Sequence, residues 1–332
     1  MSRSITIKDI SKMAGVNPST VSRALRDHPD ISTKVKERIK GIAKEFNFTP
    51  NKIASNLRSN SSRTLALIIP EINMFFFPSV INGVTQEAAR AGYHVMVLQC
   101  NEELEREEEN IQMCINNRVS GIVISLSRET DQLDHIIKAI DFGIPVVFFD
   151  KAPPGGNFDT VKIDDERAAY NAVSRLKEQG CKHIAGLFGH PGMSISRQRL
   201  AGYTQAILTL KIESVGEAHC YSMEQAREAT AQLVARGVDG IFSMSDEIIS
   251  GILPALNFAG VSIPEQCRVV GISDGKLPFF FTEYIEFLHH DGHRAGQLSV
   301  LRLIELIEKP DSNTPRVHIL DTPLMNNQHV AE

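Results

Sequence analysis

Residues Thr6–Leu25 read TIKDISKMAGVNPSTVSRAL, two short helical stretches joined by Ala14-Gly15-Val16. Thr6 followed three residues later by Asp9 is a capping pattern, in which each side chain reaches a backbone N–H left unpaired in a first helical turn. Ile7, Ile10, Met13 and Ala14 recur at helical spacing and give the first helix an apolar face. Gly15 ends it, because glycine takes left-handed backbone at least cost. Asn17 suits an N-cap, and Pro18 the first helical position, where its missing N–H is not needed. Val21, Ala24 and Leu25 then turn inward, while Ser19, Thr20, Ser22 and Arg23 stay outside. Ser32 opens a third helix with an inner stripe of Val35, Ile39, Ile42, Ala43 and Phe46. This is the sequence form of a helix-turn-helix. Its second helix, with small polar groups and one arginine outward, is equipped to lie in a major groove and touch base edges.

The stretch AGVNPSTVSRAL, followed by Asn51-Lys52-Ile53-Ala54-Ser55-Asn56-Leu57-Arg58, resembles the headpiece and hinge helix of the lactose-repressor/galactose-repressor family of bacterial transcription regulators. The likeness runs through almost the whole chain, with specific motifs in the headpiece and hinge and looser ones beyond. It implies that Pro18, Ser19 and Arg23 read bases. The chemistry agrees for Arg23, whose guanidinium can pair bidentately with guanine O6 and N7. Pro18 departs from polar examples and offers only apolar contact. Thr20, Ser22 and Ser32 are expected on phosphates, which position without reading sequence. Arg26 stands where the family usually has Asn, and either adds a phosphate contact or shifts the preferred half-site. Asn51–Leu57 is too short for a stable free helix. By resemblance it folds when two subunits sit together on DNA, with Leu57 wedged into the central base step and Ala54 and Arg58 against the minor groove. An apolar wedge that unstacks a step is known physics; the alternative is that Leu57 ends an ordinary linker turn.

The bulk composition fits this division. Residues 1–61 hold 12 Lys/Arg against 5 Asp/Glu, a net +7, and the remainder 23 against 35, a net −12. A basic head on an acidic body confines phosphate contact to the head. The five cysteines, Cys100, Cys114, Cys181, Cys220 and Cys267, are scattered without C-x-x-C spacing, as expected of reduced thiols in the cytoplasm. No apolar signal-peptide core opens the chain, and no apolar run approaches a membrane span.

From Thr64 onward, strand-like apolar runs alternate with helical stretches. Leu65–Ile69, Tyr93–Leu98, Gly121–Leu126 and Pro145–Phe149 form one series. Thr160–Ile163, His183–Phe188, Gly240–Met244 and Arg268–Ile272 read as a second. Val119-Ser120-Gly121-Ile122 is echoed by Val238-Asp239-Gly240-Ile241. The fold class is therefore α/β: a three-helix headpiece with hinge helix, then two doubly wound parallel-sheet lobes of the periplasmic-binding-protein type. The expected boundaries are 1–49 for the headpiece and 50–62 for the hinge and linker. The first lobe takes 63–160 plus 288–322, and the second 161–287 plus 323–332.

Ligands of such sheets bind beyond the carboxyl ends of the strands. By resemblance Phe76, Phe77, Ser125, Asp150, Arg199, Tyr221, Ser245, Asp246, Ser273, Asp274 and His290 line a cleft between the lobes. Carboxylates and Arg199 can hydrogen-bond hydroxyls, and Tyr221 or the phenylalanines can cover an apolar ring face. Core packing is the other reading of Phe75, Phe76 and Phe77, and at least one is expected there. Arg199 is singled out because a cation at a strand-to-helix crossover has little structural need to be there. Ser245 and Ser273 occupy places where the family often has Asn and Asp, which alters the ligand the site would take.

Other patterns are weaker. His289, His290, Asp291 and His293 match no recognised ligand spacing, so no metal and no cofactor is expected. Gly186–Gly192 lacks G-x-G-x-x-G spacing. Glu102–Glu109 reads as an exposed helix face, and no catalytic set is found. The expectation is a non-enzymatic, cytoplasmic transcription regulator, acting as a homodimer on a near-palindromic operator in double-stranded DNA. A sugar or sugar phosphate is its expected effector. The rival reading is a cytoplasmic solute-binding protein with the cleft but no regulatory DNA binding.

Overall fold

The computed structural model describes residues 5–46, 48, 62–72, 75–310 and 314–328. Ala54, Leu57 and Arg58 lie outside the described residues. The chain divides into two compact units, Met1–Ser62 and Arg63–Glu332.

The first unit holds α1 (Ile7–Ala14), α2 (Pro18–Leu25) and α3 (Thr33–Glu45). Thr6 and Asp9 form a reciprocal capping box, with the Thr6 N–H donating to Asp9 Oδ2 at 2.9 Å. Gly15 takes φ 63° and ends α1. Asn17 and Ser32 occupy the N-cap positions of α2 and α3, but neither side chain makes a capping bond. Ile10, Ala14, Val21, Ala24, Ile39 and Ala43 form the buried core. Two expected core residues are displaced. Met13 is 45% exposed, because the inner stripe of α1 runs through Ile7, Ile10, Ser11 and Ala14, one helical step aside. Phe46 is 47% exposed, because the helix stops there. Phe48 packs on the core in its place, tied back by its N–H to the Ala43 carbonyl at 2.8 Å. Asp27, with φ 58°, joins α2 to α3 through Lys40 Nζ at 2.6 Å.

The second unit begins with β1 (Thr64–Ile69), α4 (Phe76–Arg90), β2 (His94–Gln99), α5 (Leu104–Asn116), β3 (Gly121–Ile124), α6 (Asp134–Asp141), β4 (Val146–Phe149) and β5 (Thr160–Ile163). It continues with α7 (Asp165–Glu178), β6 (His183–Phe188), α8 (Ser194–Thr209), β7 (Glu213–His219), α9 (Met223–Ala235), β8 (Gly240–Ser243), α10 (Asp246–Phe258), β9 (Arg268–Ser273) and β10 (Glu286–His289). It closes with α11 (Gly292–Glu308), β11 (Val317–Leu320) and β12 (Leu324–Asn326). Two six-stranded sheets result, ordered β11-β5-β4-β3-β1-β2 and β12-β10-β9-β8-β6-β7. Every described pairing is parallel except β12 on β10.

The inner strands of each sheet are covered on both faces, so they read as continuous apolar runs. In β1, Leu65, Leu67 and Ile69 pack with Val80, Val84, Val300 and Leu303 from α4 and α11. Ala66 and Ile68 face the other way, onto Ile111, Cys114, Ile136 and Ala139 of α5 and α6. The period of two along the strand thus assigns each residue to one helical layer.

Strand β5 differs from the sequence reading, which began the second lobe with it. It pairs with β4 and β11 in the first sheet. The run Thr160–Ile163 carries no mark of its partner, since pairing is decided by distant chain. The crossing to the second sheet therefore follows Ile163, and the return follows His289, which still pairs with Ser273. Edge strand β7, ESVGEAH, was not foreseen because its exposed edge requires no apolar run.

Helices α7 and α8 touch through Gly202. A Cβ there would lie 2.0 Å from the Glu166 carbonyl oxygen, a backbone atom that cannot swing away. Gly202→Ala should therefore force the pair apart and cost about 1–3 kcal/mol, read as a lowered midpoint in thermal unfolding. An unaltered midpoint would mean that the contact yields freely.

Candidate functional site

On the first unit, α2 presents its outward face to solvent. Pro18, Ser19, Arg23 and Arg26 are exposed, and Thr20 and Ser22 are half-buried. Ser32 is exposed at the start of α3, its hydroxyl uncommitted to capping. The inner residues Val21 and Ala24 are wholly buried, so the helix is fixed by one side and offers the other. That geometry allows base edges to meet Ser19 and Arg23 while flanking hydroxyls meet phosphates.

On the second unit, a cavity of about 180 Å³ opens where the carboxyl ends of both sheets face each other. An ordered water needs only about 10–15 Å³ by the same measure, so this space admits a small solute. Phe76, Phe77, Asp150, Arg199, Tyr221, Ser245, Asp246, Ser273, Asp274 and His290 all line it. Ser125 does not; it is fully buried, and its hydroxyl has no hydrogen-bond partner among the described residues.

The backbone around the cavity is held in unusual conformations. Asn101, Glu102 and Asp150, at the ends of β2 and β4, take φ of 55°, 60° and 54°. Left-handed backbone at non-glycine residues is strained and concentrates where side chains must be aimed at a ligand.

Arg199 sits inside α8 rather than at a crossover, and it does have a structural partner. Its Nε and Nη2 lie 2.8 and 2.7 Å from Asp165 Oδ1, and Nη1 donates to the Met244 carbonyl. Burial pushes the Asp165 carboxyl up to about 6, and Arg199 opposes that rise. Asp246 is also pushed up to about 6 by burial, against hydrogen bonds from Ser273 and the Asp274 N–H. Its Oδ2 accepts that N–H at 3.0 Å. Its Oδ1 is buried without a hydrogen-bond partner among the described residues. Burial likewise raises Asp150, with Lys151 and Arg199 drawing it partly back.

Asp274 is largely occupied by the fold. Oδ2 accepts the Ser79 hydroxyl at 2.6 Å, and Oδ1 accepts the Gly292 N–H at 3.0 Å. It thereby joins the end of β9 to α4 and to the start of α11, which pack on the other sheet. His290 is buried, and burial, with Arg199 and His289 nearby, lowers its pKa well below the usual histidine range, so the ring is neutral. The ring lies 4.2 Å from Phe76, and Nε2 has no described partner. Phe77 is a core residue with an edge on the cavity, 6.3 Å from Phe149. Tyr221 is 49% exposed and meets the His190 ring at 5.0 Å.

Several cavity residues were not foreseen. Lys151, next to Asp150, is buried with Nζ 2.8 Å from Glu102 Oε1 and 5.6 Å from the Phe77 ring centre. The rule that found Asp150 would also have found it. Glu71, Arg128, His190 and Glu247 complete the polar wall. The run Glu102–Glu109 is not uniformly an exposed face. Glu102 turns into the cavity, and Glu107 is fully buried. Glu107 accepts the Ser127 N–H at 2.6 Å, the Thr130 hydroxyl at 2.9 Å and His135 Nε2 at 2.8 Å, which fixes the loop carrying Arg128. At Gly186–Gly192, the Arg197 guanidinium binds the carbonyls of Pro191 and Gly192, so this loop is no cradle of N–H groups.

Comparison with known proteins places both units. Residues 6–51 match the family described as bacterial regulatory proteins, lacI family. Residues 65–276 match the periplasmic binding protein domain. The chain is 27% identical over 312 residues to the HTH-type transcriptional repressor PurR of Vibrio atlanticus, covering 92% of this chain and 93% of that one. It is 28% identical over 320 residues to the ribose operon repressor of Halalkalibacterium halodurans, covering 95% and 94%. The fold matches the crystal structure of the lac repressor dimer bound to operator and the anti-inducer ONPF. That match has a TM-score of 0.87 at 21% identity, over 99% of this chain and 100% of that one.

Proposed function

The chain belongs to the lacI family of bacterial regulatory proteins, and on that premise we propose that its headpiece binds an operator under control of a small solute in the second unit. It is a ligand-controlled, DNA-binding transcription regulator; its relatives bear the names HTH-type transcriptional repressor PurR and ribose operon repressor. The observation that carries the reading is the exposed Ser19–Arg23 face of α2 on a basic, self-contained three-helix unit. A solute-binding protein has no use for such a unit.

The chain acts as a homodimer, and two-fold symmetry calls for two half-sites. Pro18, Ser19 and Arg23 face bases, with Thr20, Ser22, Arg26 and Ser32 on phosphates. Ala54, Leu57 and Arg58 serve the minor groove between half-sites. We assign 1–49 to the headpiece and 50–62 to the hinge. The two sheets with their helices form two effector lobes. The site is cytoplasmic and performs no catalysis. The effector is a sugar. It acts only through unequal affinity for two lobe arrangements, and Asp274, bonded to Ser79 and Gly292 across the lobes, is a contact such a rearrangement would remake.

The test is a retardation titration with an operator selected from random duplexes. Arg23→Ala should weaken that operator by about 1–3 kcal/mol while leaving scrambled DNA much less affected. An equal loss on both would reduce Arg23 to a neutraliser of phosphate.

A further inference from the structure

The cavity carries more negative charge than its cations can neutralise. Glu102, Asp150, Asp246, Glu247 and Asp274 line it, against Arg128, Lys151 and Arg199, with Lys276 3.8 Å from Asp274. Two of the three lining cations are already spent: Lys151 on Glu102 at 2.8 Å, and Arg199 on Asp165, outside the cavity, at 2.7 Å. The third, Arg128, is exposed at the rim. Asp246 is 5% exposed with Oδ1 unpartnered, and His290 is 5% exposed with Nε2 unpartnered. Asp246, Asp150 and Glu247 are all raised by burial, which outweighs the pull of Lys151 and Arg199. An incoming ligand must therefore supply hydrogen-bond donors and positive charge, while a phosphate would meet uncompensated carboxylates. The ring faces of Phe76 and Tyr221 suit the C–H face of a sugar.

Resting on the regulator reading above, we propose that the effector is an amino sugar, held through its ammonium by Asp246 and Asp150, and that phosphorylated sugars are excluded. The hydroxyls meet His290 and Arg199. The net −12 of the residues beyond the headpiece and hinge adds to the repulsion of anions.

The experiment is a thermal-shift titration of the full chain near pH 7.5 with 2-, 3- and 6-amino hexoses, each beside its neutral hexose, and with glucose 6-phosphate and glucosamine 6-phosphate. At least one amino hexose should raise the midpoint by several degrees, by mass action, and more than its neutral counterpart. The phosphorylated compounds should not. Asp246→Asn, nearly isosteric, should weaken the amino hexose about tenfold or more and narrow its lead over the neutral sugar. A neutral or phosphorylated sugar that shifts the midpoint as much as the amino hexose overturns the proposal, as does a panel in which no amino hexose acts. Operator retardation run on the same protein separates the two readings. Retained operator binding with a failed sugar panel overturns the amine assignment alone, and absent operator binding overturns the regulator reading.

Discussion

A chain that begins at Arg63 should keep a cooperative melting transition and its ligand-dependent stabilisation while losing operator affinity by roughly 10³-fold or more. The expectation follows from where the cores lie. Ile10, Val21, Ala24 and Ile39 close the first unit on itself, and the buried clusters of the second draw only on residues from Leu65 onward. Removing the head takes no member from either buried cluster of the body. It also removes the net +7 of the head and leaves an acidic body, so non-specific attraction to phosphate goes too. Retardation of the selected operator and a thermal melt, run on both chains, decide the matter. Persistent operator binding by the shortened chain would favour a DNA surface on the lobes, and failure to melt cooperatively would mean that the two units are not independent.

Arg199→Ala should be the most damaging single substitution in the cavity. It removes a donor from the ligand wall and strands Asp165, which is 2% exposed. Breaking one side of a buried ion pair costs about 3–5 kcal/mol, well above a typical point substitution. The pH dependence follows from Asp165. Its carboxyl sits at about 6 even with Arg199 beside it, above the ordinary range, and loses a favourable neighbour when the guanidinium goes, so it rises further. A group with a raised folded pKa stabilises below its unfolded pKa and loses that contribution as pH climbs through the folded value. The variant's deficit against the parent should therefore be greatest at and above neutral pH and shrink as pH falls toward about 5, where Asp165 takes a proton. Denaturant midpoints at several pH values measure this. A deficit independent of pH would show that lost packing by the arginine stem, not the stranded carboxylate, is what matters.

The amino-acid order alone determined the headpiece, because its signals are local. Thr6 and Asp9 sit within one turn, Gly15 answers for its own backbone, and Val21 and Ala24 fall on one face by the helical period. The same locality made the α/β alternation legible, since a run such as Leu65–Ile69 declares two-sided burial by itself. Tertiary structure alone decided what depends on distant partners. Strand β5 joined the first sheet because β4 and β11 were there to pair with it, and Phe48 displaced Phe46 because the chain folded back. Glu102 and Glu107 left an apparently solvated run, one for Lys151 in the cavity and one for His135 and the 127–130 loop. Arg199, expected to be free for ligand, proved to be tied to Asp165, a residue 34 positions away. Charge pairing and strand order are set by proximity in space, which a single string of residues does not encode.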